Sequence, residues 1–301
     1  MSIDSAQVAQ RFAQAHHSYS DQAVIQKKIA AYLLHLMQQH LGQAQFGKVF
    51  EIGCGSGNLS HLFMQAFEFD ALYLNDLYPE VEQHFAAAPL STAQALHWCL
   101  GDIEQLPFPQ QLDLVISSSA LQWVNDIDAL LDTAQQALLP QGYLCFSSFG
   151  PDNLTEIKTL TGRGLDYLDV EAWTHQLESH GFEVLQITSQ HEPMYFEHPL
   201  QILKHLKATG VTATAQQHRW NKQSLQQFYQ DYQQFSQIDA QGERRYCLSY
   251  HPIYCIARKA AQSEVSGIEH PRTAPPKTEQ SKTAPSRIEP SRTEASGIER
   301  S

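Results

Sequence analysis

The sequence predicts an α/β protein built on one doubly wound, mostly parallel β-sheet. Apolar segments of strand length alternate with amphipathic helical segments from residue 48 to about residue 190, as in a chain of βαβ units. The first of these strands ends in an acid and runs directly into the glycine-rich segment 53–57. This order is typical of an α/β fold that binds a ligand beyond the carboxyl ends of its strands.

The spacing of the glycines narrows the class of ligand. Gly53, Gly55 and Gly57 permit backbone angles and close approaches that side chains would forbid. A dinucleotide-binding fingerprint, G-x-G-x-x-G, would place its third glycine at position 58, where this chain has Asn58. The loop therefore argues against an NAD-dependent oxidoreductase.

Acidic and small polar residues follow the successive predicted strands. Asp76 ends the apolar run 71–75, where a carboxylate can accept hydrogen bonds from ribose hydroxyls. Asp102 follows the third segment and would by itself be interpreted as a helix N-cap or turn residue. The order of all these landmarks favours a cofactor site instead. The predicted cofactor-binding residues are Glu51, Gly53, Gly55, Gly57, Asp76, Asp102, Ile103 and Ser118.

Composition excludes several classes of function. The net charge of −12 disfavours a protein whose main task is to neutralise nucleic-acid phosphates. We find no transmembrane stretch and no export leader, and the five cysteines stand singly, so a cytoplasmic protein with reduced thiols is expected. Although the chain has 15 histidines, it contains no H-E-x-x-H and no C-x-x-C pattern, and no metal site is predicted.

The pattern along the chain predicts one domain over 1–260 followed by a tail. Within 1–42, an amphipathic helix at about 20–40 is expected to cover the cofactor. The strand and helix alternation stops over about 191–247, which we interpret as a lid inserted before the last strand. Residues 261–301 are rich in Pro, Ser, Thr and charges and are expected to be disordered. The other expected elements are helices at 126–138, 199–208 and 223–235, a turn at 140–142, and strands at 143–149 and 252–257.

Several motifs carry a resemblance to known families. The glycine loop with Glu51 two residues ahead of it resembles the first motif of S-adenosylmethionine-dependent methyltransferases, which implies a Rossmann-like methyltransferase sheet. More specific segments make residues 8 to 259 similar to the malonyl-acyl-carrier-protein O-methyltransferases of biotin synthesis. They are Arg11-Phe12, Ala15, Tyr19 and Gln26 near the start, and the segments 148–154, 203–213 and 248–251.

The resemblance implies S-adenosyl-L-methionine as cofactor and methylation of the free carboxylate of a malonyl thioester. The thioester would be carried on acyl carrier protein or on coenzyme A, with no nucleic-acid or membrane partner. A malonyl carboxylate is already ionised near neutral pH, so the reaction needs no general base. Catalysis would depend on aligning the carboxylate oxygen with the sulfonium methyl group and on excluding water.

Candidates for the acceptor side follow from the same resemblance. Tyr19, Arg219, Tyr250 and His251 are the predicted catalytic residues, because a tyrosine hydroxyl or a guanidinium can bind and orient a carboxylate. Trp123 is either a wall of the reaction chamber or an ordinary core aromatic residue. An acidic carrier calls for cations around the lid, although each lysine alone fits a solvated helix face equally well. These cations are Lys204, Lys207, Arg219, Lys222, Arg244 and Arg245.

Other functions remain open on the sequence. The chain could methylate another small acid, such as an aconitate-type carboxylate, or a quinone precursor. A quinone C-methyltransferase would need a base and an apolar entry, whereas the predicted lid is rich in Lys, His and Gln. A cofactor-binding regulator that has lost activity is the alternative from a different class, because fold does not fix function.

Overall fold

The computed structural model describes residues 8, 23–86, 91–92, 94–209 and 221–261. The predicted tail therefore lies outside the described residues, except for Ala261. No helix within the described ranges combines the length and the apolar character needed to span a bilayer.

Within the described ranges, ten strands form two sheets. In chain order they are β1 (Gln45–Ile52), β2 (Glu68–Asp76), β3 (Ala95–Leu100), β4 (Leu112–Ser118), β5 (Leu138–Phe149), β6 (Phe182–Ser189), β7 (Glu192–Phe196), β8 (Ser236–Ile238), β9 (Arg244–Tyr250) and β10 (Pro252–Lys259). The large sheet has seven strands in the order β3-β2-β1-β4-β5-β10-β6. Strands β1 to β5 pair in parallel, and β10 runs antiparallel between β5 and β6. The predicted mostly parallel, doubly wound sheet is confirmed.

Helices cover both faces of the large sheet. They are α1 (Val24–His40), α2 (Asn58–Ala66), α3 (Ile127–Ala137), α4 (Thr155–Thr161), α5 (Val170–Ser179), α6 (Pro199–Ala208) and α7 (Lys222–Asp231), with 3-10 turns at Pro79–Phe85, Leu121–Trp123 and Tyr232–Phe235. Adjacent strand residues such as Val49 and Phe50 belong to different buried clusters on opposite faces. Burial on both faces explains why these strands read as continuous apolar runs.

The first helix packs on one face of the large sheet. Ile25, Ile29, Leu33 and Leu36 recur at helical spacing and are all buried, so one stripe of α1 faces the core. Through this stripe α1 packs on α2 and on strands β4, β5 and β10. The amphipathic pattern thus identifies the side of α1 that faces the core, and Gln26 near the start of this helix lies at the carboxyl ends of the parallel strands, where a cofactor is expected.

Two sequence expectations need correction. Strand β5 begins at Leu138 rather than at 143, because the chain continues in the sheet through the expected turn, with Gln141 at a φ of 65° and a register shift against β4. The insertion between β6 and β10 also contains more than helices. It carries the three-stranded antiparallel sheet β7-β9-β8 beside α6 and α7.

The missed strand β9 did carry a sequence signal. Tyr246, Leu248 and Tyr250 are buried and alternate with less buried residues, which is the period of two of a half-buried strand. The strand begins with two arginines, and its partner β8 is only three residues long. A search for long apolar runs therefore does not detect this pattern.

The segment after β5 fastens the insertion to the large sheet. The Gly150 N–H donates to the His251 carbonyl at 2.7 Å, and the Leu154 N–H donates to the Ser249 carbonyl at 2.8 Å. Glu156, buried in α4, accepts from the Ser249 N–H at 3.0 Å and from the Ser249 hydroxyl at 2.6 Å. The chain between β9 and β10 is therefore held by hydrogen bonds to the loop and helix that follow β5.

We expect Glu156→Ala to destabilise the protein by about 1–3 kcal/mol, because it leaves the Ser249 donors without their acceptor. Urea denaturation followed by circular dichroism measures the free energy of unfolding. Glu178→Ala, an exposed glutamate on α5, is the control and should change stability by no more than about 0.5 kcal/mol. Equal effects of the two substitutions would contradict this role for Glu156.

Candidate active site

A cavity opens at the carboxyl ends of the adjacent strands β1 and β4. The strand order reverses here, because the chain continues from β1 to β2 on one side and from β4 to β5 on the other. This is the position at which doubly wound sheets bind ligands. The predicted residues Glu51, Gly53, Gly55, Asp76, Asp102, Ile103 and Ser118 all line it. Gly57 stands beside them as the residue that precedes α2.

The glycine segment forms the floor of the cavity with bare backbone. Gly53 has a φ of 69° and Gly55 a φ of 52°, in the left-handed region that favours glycine. A Cβ on Gly53 would overlap the methyl group of Ala120, whereas a Cβ on Gly55 would meet no atom within 4 Å. Gly53 is therefore required by packing, and Gly55 leaves its backbone open to a ligand.

Asp76 holds this segment in place. Its Oδ2 accepts from the Gly55 N–H at 2.8 Å and its Oδ1 from the Tyr78 N–H at 3.0 Å. The neighbouring Asn75 amide donates to the carbonyls of Cys99 and Gly101 at 2.8 and 3.0 Å, which joins the ends of β2 and β3. Each Asp76 oxygen keeps a further lone pair, so the carboxylate can also accept from ligand hydroxyls.

Glu51 is the most perturbed acid of the cavity. It is buried, and the Ser60 hydroxyl donates to its Oε2 at 2.5 Å. Burial raises the pKa of Glu51 to about 8; repulsion by Asp76 adds a smaller increase, and the Ser60 hydrogen bond opposes both. Glu51 therefore holds a proton at neutral pH, and a ligand ammonium group beside it would favour its ionised form.

Several polar side-chain atoms that line the cavity are buried. The Gln26 Oε1, the Ser56 Oγ and the Ser119 Oγ are buried and accept or donate no hydrogen bond among the described residues. Unpaired buried polar groups are costly, so a polar ligand stabilises them. The N-terminus of α2 also opens beside this cavity without a side-chain cap, and its amides suit a carboxylate. The arrangement fits an amphoteric, hydroxyl-bearing cofactor.

Of the four predicted acceptor residues, two lie outside the described residues and the other two lie away from the strand-end cavity. Tyr19 and Arg219 are outside the described residues. The Tyr250 hydroxyl lies 2.7 Å from the Nε2 of His205, and both side chains are buried. Burial lowers the pKa of His205 to about 4, so this pair is neutral. Neither Tyr250 nor His251 lines the cavity, whereas Trp123 does.

His251 has its own set of partners. Its Nδ1 accepts from the Asp152 N–H at 3.2 Å, and its ring stacks on that of His191 with centroids 4.3 Å apart. Burial, followed by the neighbouring His191, lowers the pKa of His251, and Asp152 opposes that shift. The structure thus places His251 at the junction of the insertion and the sheet rather than at the cavity.

The predicted docking cations fall into two groups. Lys204 and Lys207 on α6 and Lys222 at the start of α7 are exposed. Arg245 is instead paired with Asp239 at 2.7 Å and with Glu197 at 3.3 Å. Arg244 donates to the Ser236 hydroxyl at 2.9 Å. Lys204 and Arg245 share an open depression on the insertion that is separate from the strand-end cavity.

Sequence reasoning missed part of the cavity lining. Ser56 and Ser119, whose hydroxyls have no hydrogen-bond partner within the described ranges, and Asn75, which joins two strand ends, were not singled out. Ser56 lies within the glycine segment, and a polar residue next to the acid at the end of an apolar strand could have identified Asn75. Ser119 has a φ of 55° that only the structure reveals.

The raised pKa of Glu51 predicts a stability that depends on pH. The unfolded chain releases this proton near pH 4.5, whereas the folded protein holds it to about 8. Stability is therefore fully present below the unfolded pKa and decreases as the pH rises through this window, by an amount on the order of a few kcal/mol. We expect Glu51→Gln to remove most of this decrease, as measured by chemical denaturation at several pH values.

The matched control is Glu68→Gln, since Glu68 is exposed at the start of β2 and should leave the wild-type pH dependence unchanged. If the Glu51→Gln protein loses stability between pH 5 and 8 as steeply as wild type does, the carboxyl does not hold its proton in the folded state.

Comparison with solved structures identifies the fold. A Bacillus halodurans protein solved as a methyltransferase and the YcgJ protein of Bacillus subtilis match with TM-scores of 0.55 and 0.54. Each match covers 76% of this chain and nearly all of the solved chain, 99% and 97%, at identities of 18% and 14%. At such identities the likeness concerns the fold alone.

Comparison of sequences identifies the family. A family model described as a methyltransferase domain matches residues 50–146. The malonyl-[acyl-carrier protein] O-methyltransferase of Acinetobacter baylyi is 49% identical over 264 residues, which cover 87% of this chain and 99% of that protein. The Haemophilus influenzae protein of the same name is 36% identical and covers 85% of this chain and 95% of its own. This chain belongs to the malonyl-[acyl-carrier protein] O-methyltransferase family.

Proposed function

We propose that the protein transfers a methyl group from S-adenosyl-L-methionine to the free carboxylate of a malonyl thioester on acyl carrier protein, giving the malonyl methyl ester that primes biotin synthesis. The observation that carries the cofactor assignment is the strand-end cavity, whose buried Gln26, Ser56 and Ser119 oxygens have no hydrogen-bond partner in the described part of the chain. The choice of acceptor is supported by relatives that bear this name along almost their whole length.

The cavity supplies a partner for each part of the cofactor. The methionine carboxylate would meet the N-terminus of α2, and the ammonium group would meet Glu51 and the glycine segment. Asp76 would accept from the ribose hydroxyls, and Asp102 with Ile103 would border the adenine. When bound, the cofactor supplies an electrophilic methyl group.

The acceptor needs orientation rather than activation. Because a malonyl carboxylate is ionised near neutral pH, no residue has to remove a proton from it. The protein contributes by holding the carboxylate in line with the methyl group and by excluding water. We retain Tyr19 and Arg219 as the proposed carboxylate-binding residues, and Trp123 as a proposed wall, since it lines the cavity. Tyr250 and His251 stay predictions without support from the cavity lining.

An acidic carrier would dock on the exposed cations of the insertion. We define the docking surface as Lys204, Lys207 and Lys222, which lie on the contacting helices α6 and α7 and are exposed. None of the three has an acidic ion-pair partner among the described residues, whereas the charge of Arg245 is compensated by Asp239 and Glu197. Charge complementarity of this kind mainly speeds association and selects the partner.

The central test is a mass-spectrometric assay of the purified protein with S-adenosyl-L-methionine and three acceptors: malonyl-carrier, malonyl-coenzyme A and trans-aconitate. We expect an alkali-labile methyl ester to form preferentially on malonyl-carrier. Formation of the ester on trans-aconitate alone, or binding of the cofactor without methylation of any malonyl thioester, would overturn the proposal and favour another acceptor or a regulatory role.

Charge reversal tests the docking surface. We expect Lys204→Glu and Lys207→Glu each to raise the KM for malonyl-carrier by about threefold to tenfold, with little change in kcat, because each reverses one attractive charge. The KM for malonyl-coenzyme A should not change. Lys158→Glu, an exposed lysine on α4, is the matched control. If the KM for malonyl-carrier rises equally in Lys204→Glu, Lys207→Glu and Lys158→Glu, the carrier does not dock on the proposed surface.

A further inference from the structure

Three separate chain connections bring two histidines and an aspartate together. Asp152 follows β5, His191 lies between β6 and β7, and His251 lies between β9 and β10. Their ligand atoms all lie within 4.8 Å of one another. We call Asp152, His191 and His251 the histidine–aspartate cluster. The residues are distant in sequence, with 39 positions between Asp152 and His191 and 99 between Asp152 and His251, so no sequence motif could reveal them.

The separations suit a tetrahedral metal ion. The His191 Nε2 lies 3.2 Å and the His251 Nδ1 3.8 Å from the same oxygen, Oδ2 of Asp152. Zinc bonds to histidine nitrogen and carboxylate oxygen are about 2.0–2.2 Å long, which places tetrahedral ligand atoms about 3.3–3.6 Å apart. Both of these distances lie within a few tenths of an ångström of this range, whereas the third separation, between the nitrogens of His191 and His251, is up to 4.8 Å. Because the two imidazole rings stack with centroids 4.3 Å apart and an interplanar angle of 11°, the exposed His191 ring has to turn out of the stack before both nitrogens can face one ion.

The chemistry of the donors is also appropriate. The His251 Nδ1 accepts a hydrogen bond from the Asp152 N–H, so this nitrogen carries no proton and presents its lone pair to the cluster. A metal ion would replace that amide as the partner of Nδ1, and the amide of the exposed Asp152 would turn to water. Two imidazoles and one carboxylate are a ligand set that favours zinc and its neighbours over magnesium or calcium.

The cluster is open on one side. The His191 and Asp152 side chains are each 63% exposed, whereas the His251 side chain is only 11% exposed. An ion can therefore enter from solvent and retain a water molecule as its fourth ligand. Two hydrogen bonds hold the backbone of His251 in place: its N–H donates to the Asn153 Oδ1 at 3.2 Å, and its carbonyl accepts from the Gly150 N–H at 2.7 Å.

We propose that Asp152, His191 and His251 bind a divalent transition-metal ion such as Zn²⁺. His191 stands where the chain leaves the large sheet for the insertion, and His251 stands where it returns. The ion links the connection into the insertion, the connection out of it and the end of β5. It thereby stabilises the part of the insertion that adjoins the large sheet. The proposal does not depend on the acceptor or the cofactor.

The test uses full-length protein freed of metal with a chelator and then titrated with Zn²⁺ in a calorimeter. We expect one site in the wild-type protein whose affinity falls at least about tenfold in His191→Gln and in Asp152→Asn. Both side chains are exposed, so these variants should fold. Since the chain has 15 histidines, His175→Gln, an exposed histidine on α5, serves as the control and should bind as wild type does.

A second measurement separates ligation from a general effect on the fold. Co²⁺ added to the wild-type protein should give visible absorption typical of tetrahedral coordination, and Zn²⁺ should raise the Tm; both effects should be lost in His191→Gln and Asp152→Asn and kept in His175→Gln. Zinc binding of equal affinity in wild type and in either cluster variant, or no binding by the wild-type protein, would overturn the proposal.

Discussion

The hydrogen bond from the Gly55 amide to the Asp76 carboxylate, at 2.8 Å, is the contact on which the ligand cavity depends. It ties the turn after β1 to the end of β2, which parallel pairing has already placed at the same edge of the sheet. The left-handed glycines then allow the chain to turn without placing a Cβ in the cavity. Because one acid holds the loop and still has free lone pairs, the same group can shape the site and bind a ligand.

Many residues that line the cavity could be predicted from the sequence, because the sequence patterns that mark them are local. Glycine spacing, an acid after an apolar run and the alternation of strands and helices all follow from backbone geometry within a short stretch of chain. The doubly wound, mostly parallel sheet and the residues around the glycine loop were therefore accessible. The unpartnered hydroxyls of Ser56 and Ser119 were not, because their burial depends on how separate loops meet.

The insertion was less predictable because its contacts are between distant residues. Tyr250 and His251 are adjacent in sequence, yet one pairs with His205 of α6 and the other stacks on His191 beyond β6. A motif can mark such residues as a unit without telling which neighbours they meet. Glu156 shows the same limit, since a glutamate in a short helix gives no sign that it binds Ser249 of a later strand.

The place of β10 in the sheet has a consequence for how the protein is made. Residues 252–259 pair with both β5 and β6, and those two strands are not neighbours in the sheet. On the ribosome, β6 therefore has no partner strand from the described part of the chain until β10 has been translated. Such long-range pairing slows folding and leaves strand edges exposed in the nascent chain. The β1–β5 half of the sheet can assemble during synthesis, whereas the other half must wait for the last strand to emerge.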